Sequence, residues 1–161
     1  MLKEAAGLVK VDKQLSFDMP KAATKTNSSL TIYTDGASKG NPGAAAAGIA
    51  IYDSSGKIVK KVKKYLGTMT NNQAEYNALL IGLRAAHRIS DKKIKIFMDS
   101  ELIVKQIKGQ YKVKNSELRV IYLEVLKQLK KFGGHSINHV MRADNKLADS
   151  LANEAIKEHR S

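Results

Sequence analysis

Cysteine is absent from the 161 residues of this chain, and no long apolar run occurs in it. The absence of cysteine excludes disulfide bonds, thiol catalysis and cysteine-ligated zinc. No apolar stretch approaches the roughly 20 residues that a membrane-spanning helix needs, and residues 1–17 lack the apolar block of a secretory signal. These absences predict a soluble, cytoplasmic protein with no membrane partner.

Acidic residues are scarce as well, since 15 aspartates and glutamates stand against 28 lysines and arginines. The resulting net charge of +13 favours polyanionic partners, because bound lysines displace the counterions of a nucleic acid. A basic surface that only keeps the protein soluble is the alternative. Clustering of the lysines at 57–65, 104–114 and 126–131 modestly favours nucleic acid.

A chain of 161 residues suits one domain with a sizeable core. Residues 1–28 lack sustained periodicity and end in a polar, linker-like stretch. We expect them to form a flexible N-terminal extension, with a short helix over residues 2–10 as an alternative for part of it. The domain itself is predicted to cover residues 29–161.

The rest of the sequence alternates between strand and helix patterns. A capping box formed by Thr70 and Gln73 predicts the start of the first helix. The element order β-β-β-α-β-α-α-β-α predicts an α/β protein with a mixed five-stranded sheet flanked by helices. The predicted strands are 30–35, 44–52, 57–65, 93–99 and 136–141, and the helices are 70–88, 100–108, one with Leu118, Ile121, Tyr122, Val125 and Leu129 on one face, and a closing one with Ala148, Leu151, Ala152, Ala155 and Ile156.

Four acidic residues lie at positions where predicted elements begin or end. Asp35 and Asp99 lie at or near the ends of strands, where open α/β sheets bind their ligands. Glu75 and Asp149 lie in the early turns of helices. Each has an ordinary explanation: a turn residue, a helix cap, or a carboxylate that favours the helix dipole. Four such positions in a chain with few acids favour a shared site, although spacing alone does not prove convergence.

Convergence would have a definite chemical consequence. Clustered carboxylates repel one another, so some would have raised pKa values and stay protonated without cations. Oxygen ligands without histidine or cysteine favour Mg²⁺ or Mn²⁺. Two such ions about 4 Å apart can activate a water and stabilise the leaving oxygen of a phosphoryl displacement. An acidic metal site within a basic surface therefore indicates a nuclease.

Four segments together resemble type 1 ribonuclease H over residues 29–158. They are YTDGASKGNPG, TNNQAEYNALLIGL, IFMDSELIVKQIKG and RADNKLADSLANEA, in the order and spacing of that family. The resemblance implies a sheet with strand order 3-2-1-4-5 and cleavage of the RNA strand of RNA–DNA hybrids to 5′-phosphate and 3′-hydroxyl ends. It implies two ions, with Asp35 bridging them, Glu75 and Asp99 completing the first site and Asp149 the second. We expect a monomer.

The resemblance also implies contacts with the hybrid. Gly40 lets backbone approach the nucleic acid closely. Asn145 matches a position near the second metal, with a helix N-cap as the equally supported alternative, and a plain cap also accounts for Thr70. The residues expected in the minor groove, where 2′-hydroxyls distinguish RNA from DNA, are Gly40, Asn41, Asn71 and Asn72, and those expected on a DNA-strand phosphate are Thr70 and Asn115.

The chain departs from many members of the family in two places. Many members carry a catalytic histidine on a mobile loop. Counting along the sequence without gaps places His139 at that position, but SINHV predicts a strand, in which His139 would be an ordinary strand residue. Arg142 is then the residue nearest to the position of that histidine, as in a subgroup of short members. We favour Arg142 as an auxiliary group that acts through its charge, because arginine does not shuttle protons at neutral pH. Between Lys108 and Ser116 the chain also lacks the basic insertion of some relatives. This predicts weaker affinity for the substrate unless other lysines, such as 60, 61, 63 and 64, or the N-terminal extension compensate.

Two other functions stay open. Some short members of this family are weak or inactive, so a module that binds hybrid or double-stranded RNA with little catalysis is one alternative. The presence of all four acidic residues argues against it. A nuclease or recombinase of the same superfold that acts on DNA is the other, and the GNPG and TNNQAE segments argue against that.

Overall fold

The computed structural model describes residues 25–160, and the rest of the predicted N-terminal extension lies outside the described residues. Five strands and four helices follow one another along this part of the chain. None of these helices combines the length and apolar character needed to cross a membrane. The elements are β1 Leu30–Gly40, β2 Gly43–Tyr52, β3 Ile58–Met69, α1 Asn71–Ile89, β4 Lys93–Met98, α2 Glu101–Ile107, α3 Ser116–Leu129, β5 Gly134–His139 and α4 Lys146–Arg160.

The five strands form one mixed sheet in the order β3-β2-β1-β4-β5, which confirms the predicted topology. Strands β1, β2 and β3 form an antiparallel meander. Strand β4 runs parallel to β1, and β5 runs parallel to β4. The sheet therefore changes from antiparallel to parallel at β1, and the chain crosses over through α1 to reach β4.

Strand boundaries differ from the prediction in places that matter for the site. Strand β1 continues five residues beyond Asp35, so the prediction that this residue lies at a strand end was wrong. The residues that follow Asp35 pair with β2 until Gly40 faces Gly43 in a tight hairpin. Strand β3 likewise runs to Met69, with a register shift against β2 that leaves Gly67 at a positive φ of 87°.

The helices agree more closely with the sequence patterns, since the residues that specify them are local. Thr70 Oγ1 accepts the backbone N–H of Gln73 at 3.2 Å, and Gln73 Oε1 accepts that of Thr70 at 2.8 Å, which confirms the capping box. The predicted inner face of α4 is buried at all five positions. In α3 the predicted positions Ile121, Val125 and Leu129 are buried.

Helices pack against both faces of the sheet. The main core joins α1, α2 and α3 to one face through residues such as Ile32, Ile49, Leu83 and Ile121. Helix α4 covers β1, β2 and β3 from the other side, where Ala46 packs against Ile156. The residues just before β1 contact the end of α1, since the Thr26 N–H donates to the Ile89 carbonyl at 2.8 Å.

Two glycines bring the helices unusually close to the sheet. A Cβ on Gly36 would lie 2.3 Å from the backbone of Ala74 in α1, and one on Gly48 would lie 2.1 Å from the Ala148 carbonyl oxygen in α4. Gly48 pairs with Asp35 across β1 and β2, so α4 lies directly against the row that carries Asp35. These contacts fix the distance of both helices from the centre of the sheet.

Replacing Gly48 with alanine should lower the free energy of unfolding by about 2–3 kcal/mol, because the added methyl group displaces the α4 backbone. Urea unfolding followed by circular dichroism measures this. Gly133→Ala is the matched control, since its Cβ would meet nothing closer than 3.7 Å. It should leave stability unchanged or raise it by up to about 1 kcal/mol. Equal effects of the two substitutions would contradict the packing argument.

Candidate metal centre and nucleic-acid cleft

The register of β1 and β4 brings two carboxylates side by side. Thr34 and Met98 are the last residues that pair between these parallel strands. Asp35 and Asp99 follow them directly and therefore lie next to each other at the end of this pairing. Asp35 lies within β1 and is only 5% exposed. The helix-cap explanation for Asp99 does not hold, since Ser100 Oγ accepts the Ile103 N–H and caps α2.

Helix α1 adds a third carboxylate to this pair. The close contact at Gly36 brings Glu75 over β1, and the Gly36 N–H donates to Glu75 Oε1 at 3.2 Å. Oxygen atoms of Asp35, Glu75 and Asp99 lie within 4.8 Å of one another. Residues from three separate elements therefore form one acidic centre.

Asp149 completes the group from the opposite face of the sheet. It lies in the first turn of α4 and lines the same cleft as Asp35, whose pKa it raises. The Asn153 amide donates to Asp149 Oδ1 at 3.2 Å. Arg142 Nη2 lies 3.5 Å from the same oxygen, and the arginine side chain is 81% exposed. The structure thus brings together all four acidic residues singled out in the sequence.

Crowding of these groups changes their acidity. Burial, followed by the charge of Asp99 and the contact with Asp149, raises the pKa of Asp35 from 3.8 to about 8. Burial and the charges of Asp35 and Asp99 raise the pKa of Glu75 well above its ordinary value of 4.5. A divalent cation would reverse both shifts, because it favours the charged form of each carboxylate.

The donor set fits a hard divalent cation. The three clustered carboxylates offer only oxygen ligands, which Mg²⁺ and Mn²⁺ prefer over zinc. Asp35, Glu75 and Asp99 could hold one ion together, and Asp149 lies close enough to Asp35 to contribute to a second. The raised pKa values of two of these carboxylates indicate that too little positive charge surrounds them. The centre should therefore attract cations.

Asn145 supports the centre from inside the protein. It is 1% exposed, and its amide donates to Asp99 Oδ2 at 3.1 Å and to the Thr34 carbonyl at 2.9 Å. Its own side-chain oxygen has no hydrogen-bond partner among the described residues, so it does not cap α4 through that atom. It is not among the residues that line the cleft with the four carboxylates, and a contact of Asn145 with substrate stays a prediction. Asn145 ties the start of α4 to the strands that carry Asp35 and Asp99.

Two clefts join at the start of α1. The first has a volume of about 460 Å³ and contains the four carboxylates together with Ser38, Lys39 and Asn153. The second has a volume of about 360 Å³ and is lined by Thr70, Asn115 and their neighbours. Asn71 and Asn72 line both. Asn41 lies beside them in the β1–β2 hairpin next to Gly40, and its Oδ1 accepts the Asn71 N–H at 2.9 Å.

The two candidates for an auxiliary group occupy different places. Arg142 lines the acidic cleft from a short 3-10 turn that precedes α4. His139 is the last residue of β5, is exposed, and does not line either cleft. The strand interpretation of His139 thus agrees with the structure, although the strand begins and ends two residues earlier than predicted.

Sequence reasoning missed a polar connection at the rim of the acidic cleft. Lys39 Nζ donates to Asn153 Oδ1 at 2.9 Å, and the Asn153 amide in turn holds Asp149. The spacing of four residues between Asp149 and Asn153 places them on one helix face and could have indicated this pair. The lysine comes from β1, so only the fold brings it there.

Comparison with known proteins gives consistent results. A family model described as reverse transcriptase-like matches residues 33–155. Ribonuclease HI of Halobacterium salinarum is 43% identical over 124 residues, which are 77% of this chain and 62% of that protein. The crystal structure of RNase H1 from the same archaeon has a TM-score of 0.79 at 41% identity and is matched over 81% of this chain and 98% of its own. LC11-RNase H1 in complex with RNA/DNA hybrid has a TM-score of 0.78 at 36% identity, over 82% and 99%.

The sheet order and the acidic centre beside its parallel strands define a protein of the ribonuclease H-like class. Within that class, the chain belongs to the type 1 ribonuclease H family. The resemblance carried by the four sequence segments is therefore confirmed. The chain spans 62% of the length of the Halobacterium protein.

Asp35→Asn should stabilise the metal-free protein at alkaline pH. Between pH 4 and 8 the folded state keeps a proton on Asp35 that the unfolded state has lost, so wild-type stability falls as pH rises. The stability of the variant does not fall in this way, because asparagine does not titrate. At pH 8.5 its free energy of unfolding should exceed that of the wild type by more than about 1.4 kcal/mol, which corresponds to a tenfold change in proton affinity.

Urea unfolding in EDTA at pH 5 and pH 8.5 measures this difference. The exposed Asp91→Asn variant is the control and should follow the wild type at both values. A gap between Asp35→Asn and wild type that does not widen with pH would contradict the raised pKa of Asp35.

Proposed function

We propose that this protein is an endoribonuclease that hydrolyses the RNA strand of RNA–DNA hybrids with Mg²⁺ or Mn²⁺, leaving 5′-phosphate and 3′-hydroxyl ends. The observation that carries the proposal is the convergence of Asp35, Glu75, Asp99 and Asp149 in one cleft of a protein with a net charge of +13. The hybrid bound to the related LC11-RNase H1 supports the choice of substrate. We expect the protein to act as a monomer.

The four carboxylates would hold two ions, with Asp35 shared, Glu75 and Asp99 on the first and Asp149 on the second. When bound, such ions supply an activated water and stabilise the leaving oxygen. The protein's own part is to fix the oxygens in place. The Gly36 N–H holds Glu75, Asn145 holds Asp99 and Asn153 holds Asp149. The loss of any of these contacts would loosen the geometry without removing a ligand.

The amide-rich region between the two clefts suits the minor groove of a hybrid. Asn41, Asn71 and Asn72 offer neutral donors and acceptors that can read 2′-hydroxyl groups. In the second cleft, Thr70 and Asn115 cap α1 and α3, so two helix N-termini face a shared volume that can accept a DNA-strand phosphate. Substrate recognition would then combine groove shape with phosphate contacts rather than base sequence.

Only seven residues, 109–115, lie between Lys108 and Ser116 at the start of α3, without a basic insertion. Of the lysines on β3, Lys63 is engaged with Glu154 and Glu158 at 3.2 and 2.6 Å. Lysines 60, 61 and 64 are the remaining candidates to attract the backbone of the hybrid. Weak, salt-sensitive binding is the expected result.

Asp99→Asn should abolish hybrid cleavage while leaving hybrid binding within about threefold, because the amide keeps the shape of the side chain but is a poor metal ligand. Labelled RNA–DNA hybrid, RNA duplex and DNA duplex, each with Mg²⁺, Mn²⁺ or EDTA, give the strand and the metal requirement. Glu101→Gln is the matched control, since it removes an exposed carboxylate two residues away that pairs with Lys105.

Three outcomes decide between the functions. Cleavage of the RNA strand by wild type and the control alone supports the proposal. A wild type that binds hybrid but is as inert as Asp99→Asn with both metals would favour a hybrid- or duplex-RNA-binding module. Cleavage of DNA duplex would favour a different nuclease of this fold.

Arg142→Ala should lower kcat about tenfold with little change in KM, because its exposed guanidinium lies beside Asp149 and can neutralise charge that develops there. Arg142→Lys should keep part of the rate. His139→Ala is the matched control and should stay within twofold of wild type. Steady-state cleavage at saturating Mg²⁺ measures both, and a large loss for His139→Ala with none for Arg142→Ala would reverse the assignment.

A further inference from the structure

The second cleft contains one carboxylate that the proposed function does not use. Glu117 lies in the first turn of α3 and lines this cleft with Thr70 and Asn115. It is the only formally charged side chain among the described residues that line the cleft. Its one side-chain hydrogen bond among the described residues is long, since Gln73 Nε2 donates to Glu117 Oε1 at 3.4 Å.

Apart from Glu117, the polar groups of this cleft suit an anion. Thr70 Oγ1 accepts the Gln73 N–H and Asn115 Oδ1 accepts the Leu118 N–H, so the cap oxygens are directed into the helices. The Thr70 hydroxyl hydrogen and the Asn115 amide are then left to donate outward. The positive ends of two helix dipoles add to these donors.

Glu117 works against that arrangement. Its negative charge offsets the dipole of α3 at the end that faces the cleft and repels any phosphate bound between the two caps. The cleft opens to solvent, so this repulsion is moderate and weakens with salt. A neutral side chain of similar shape would leave every donor in place.

We propose that Glu117 limits the affinity of this cleft for a DNA-strand phosphate and so sets how weakly the protein holds its hybrid. This inference rests on the proposed function. It makes Glu117 a residue that tunes substrate affinity, distant from the carboxylates that would perform the reaction. The alternative is that Glu117 only stabilises the start of α3 and its contact with Gln73.

The test measures hybrid binding in the Asp99→Asn background, where the substrate stays intact. Fluorescence anisotropy with a labelled hybrid at 50 and 200 mM salt gives Kd for three added substitutions. Glu117→Gln keeps the side-chain shape, and Glu117→Ala removes any new hydrogen bond that glutamine could make. Glu124→Gln is the control, because it removes one charge from the same helix where Glu124 pairs with Arg84 at 3.2 Å.

Both Glu117 variants should lower Kd about three- to tenfold at low salt, with a smaller change at high salt, and Glu124→Gln should change it less than twofold. With Asp99 restored, KM should fall by the same factor while kcat stays within twofold. A purely structural role would instead lower the melting temperature and leave Kd unchanged or higher, which would overturn the inference. An equal gain from Glu124→Gln would also overturn it, since net charge alone would then be responsible.

Different results would refute the proposed function and the role of Glu117. If the Asp99→Asn protein does not bind hybrid, the proposed function falls and this inference falls with it. If that protein binds hybrid and the Glu117 variants bind no more tightly, only the inference is wrong.

Discussion

The carboxylates crowded around Asp35 repel one another, and the packing of the fold must hold them together in spite of this repulsion. Asp35 is almost fully buried, and the carboxylates of Glu75, Asp99 and Asp149 around it have the same sign. Burying such a charge without compensation is costly. The described contacts of the centre are amides, one backbone N–H and the exposed Arg142 rather than a buried cation. The fold thus preserves a negative potential that a divalent cation can relieve.

Close packing is what holds these groups together against their repulsion. Gly48, which pairs with Asp35, and Gly36, which follows it, let α4 and α1 lie against opposite faces of the sheet, and a side chain at either position would push its helix away from the sheet. Stability and site geometry therefore rest on the same contacts. A protein arranged in this way gives up some stability at neutral pH in exchange for a preorganised centre.

Charge is distributed unevenly around the two joined clefts. Basic residues outnumber acidic ones in the chain as a whole, yet the acidic cleft holds four carboxylates. The neighbouring cleft offers neutral amides, two helix N-termini and one glutamate. Basic residues would attract a polyanion over distance, while amides and dipoles would position it. Affinity, on this account, is set by a balance of small opposing terms rather than by one strong basic patch.

The sheet order was implied by the resemblance of four segments to type 1 ribonuclease H, and the structure confirms it. The sequence itself predicted the helices and singled out the four acidic residues, because capping boxes and apolar faces involve residues close together in the chain. It did not determine that β1 continues past Asp35, that Asn145 is buried beneath Asp99, or that Lys39 and Asn153 support Asp149. Those features depend on strand register and on helix-to-sheet distance. Both arise from contacts between residues far apart in the chain, which no local pattern in the sequence encodes.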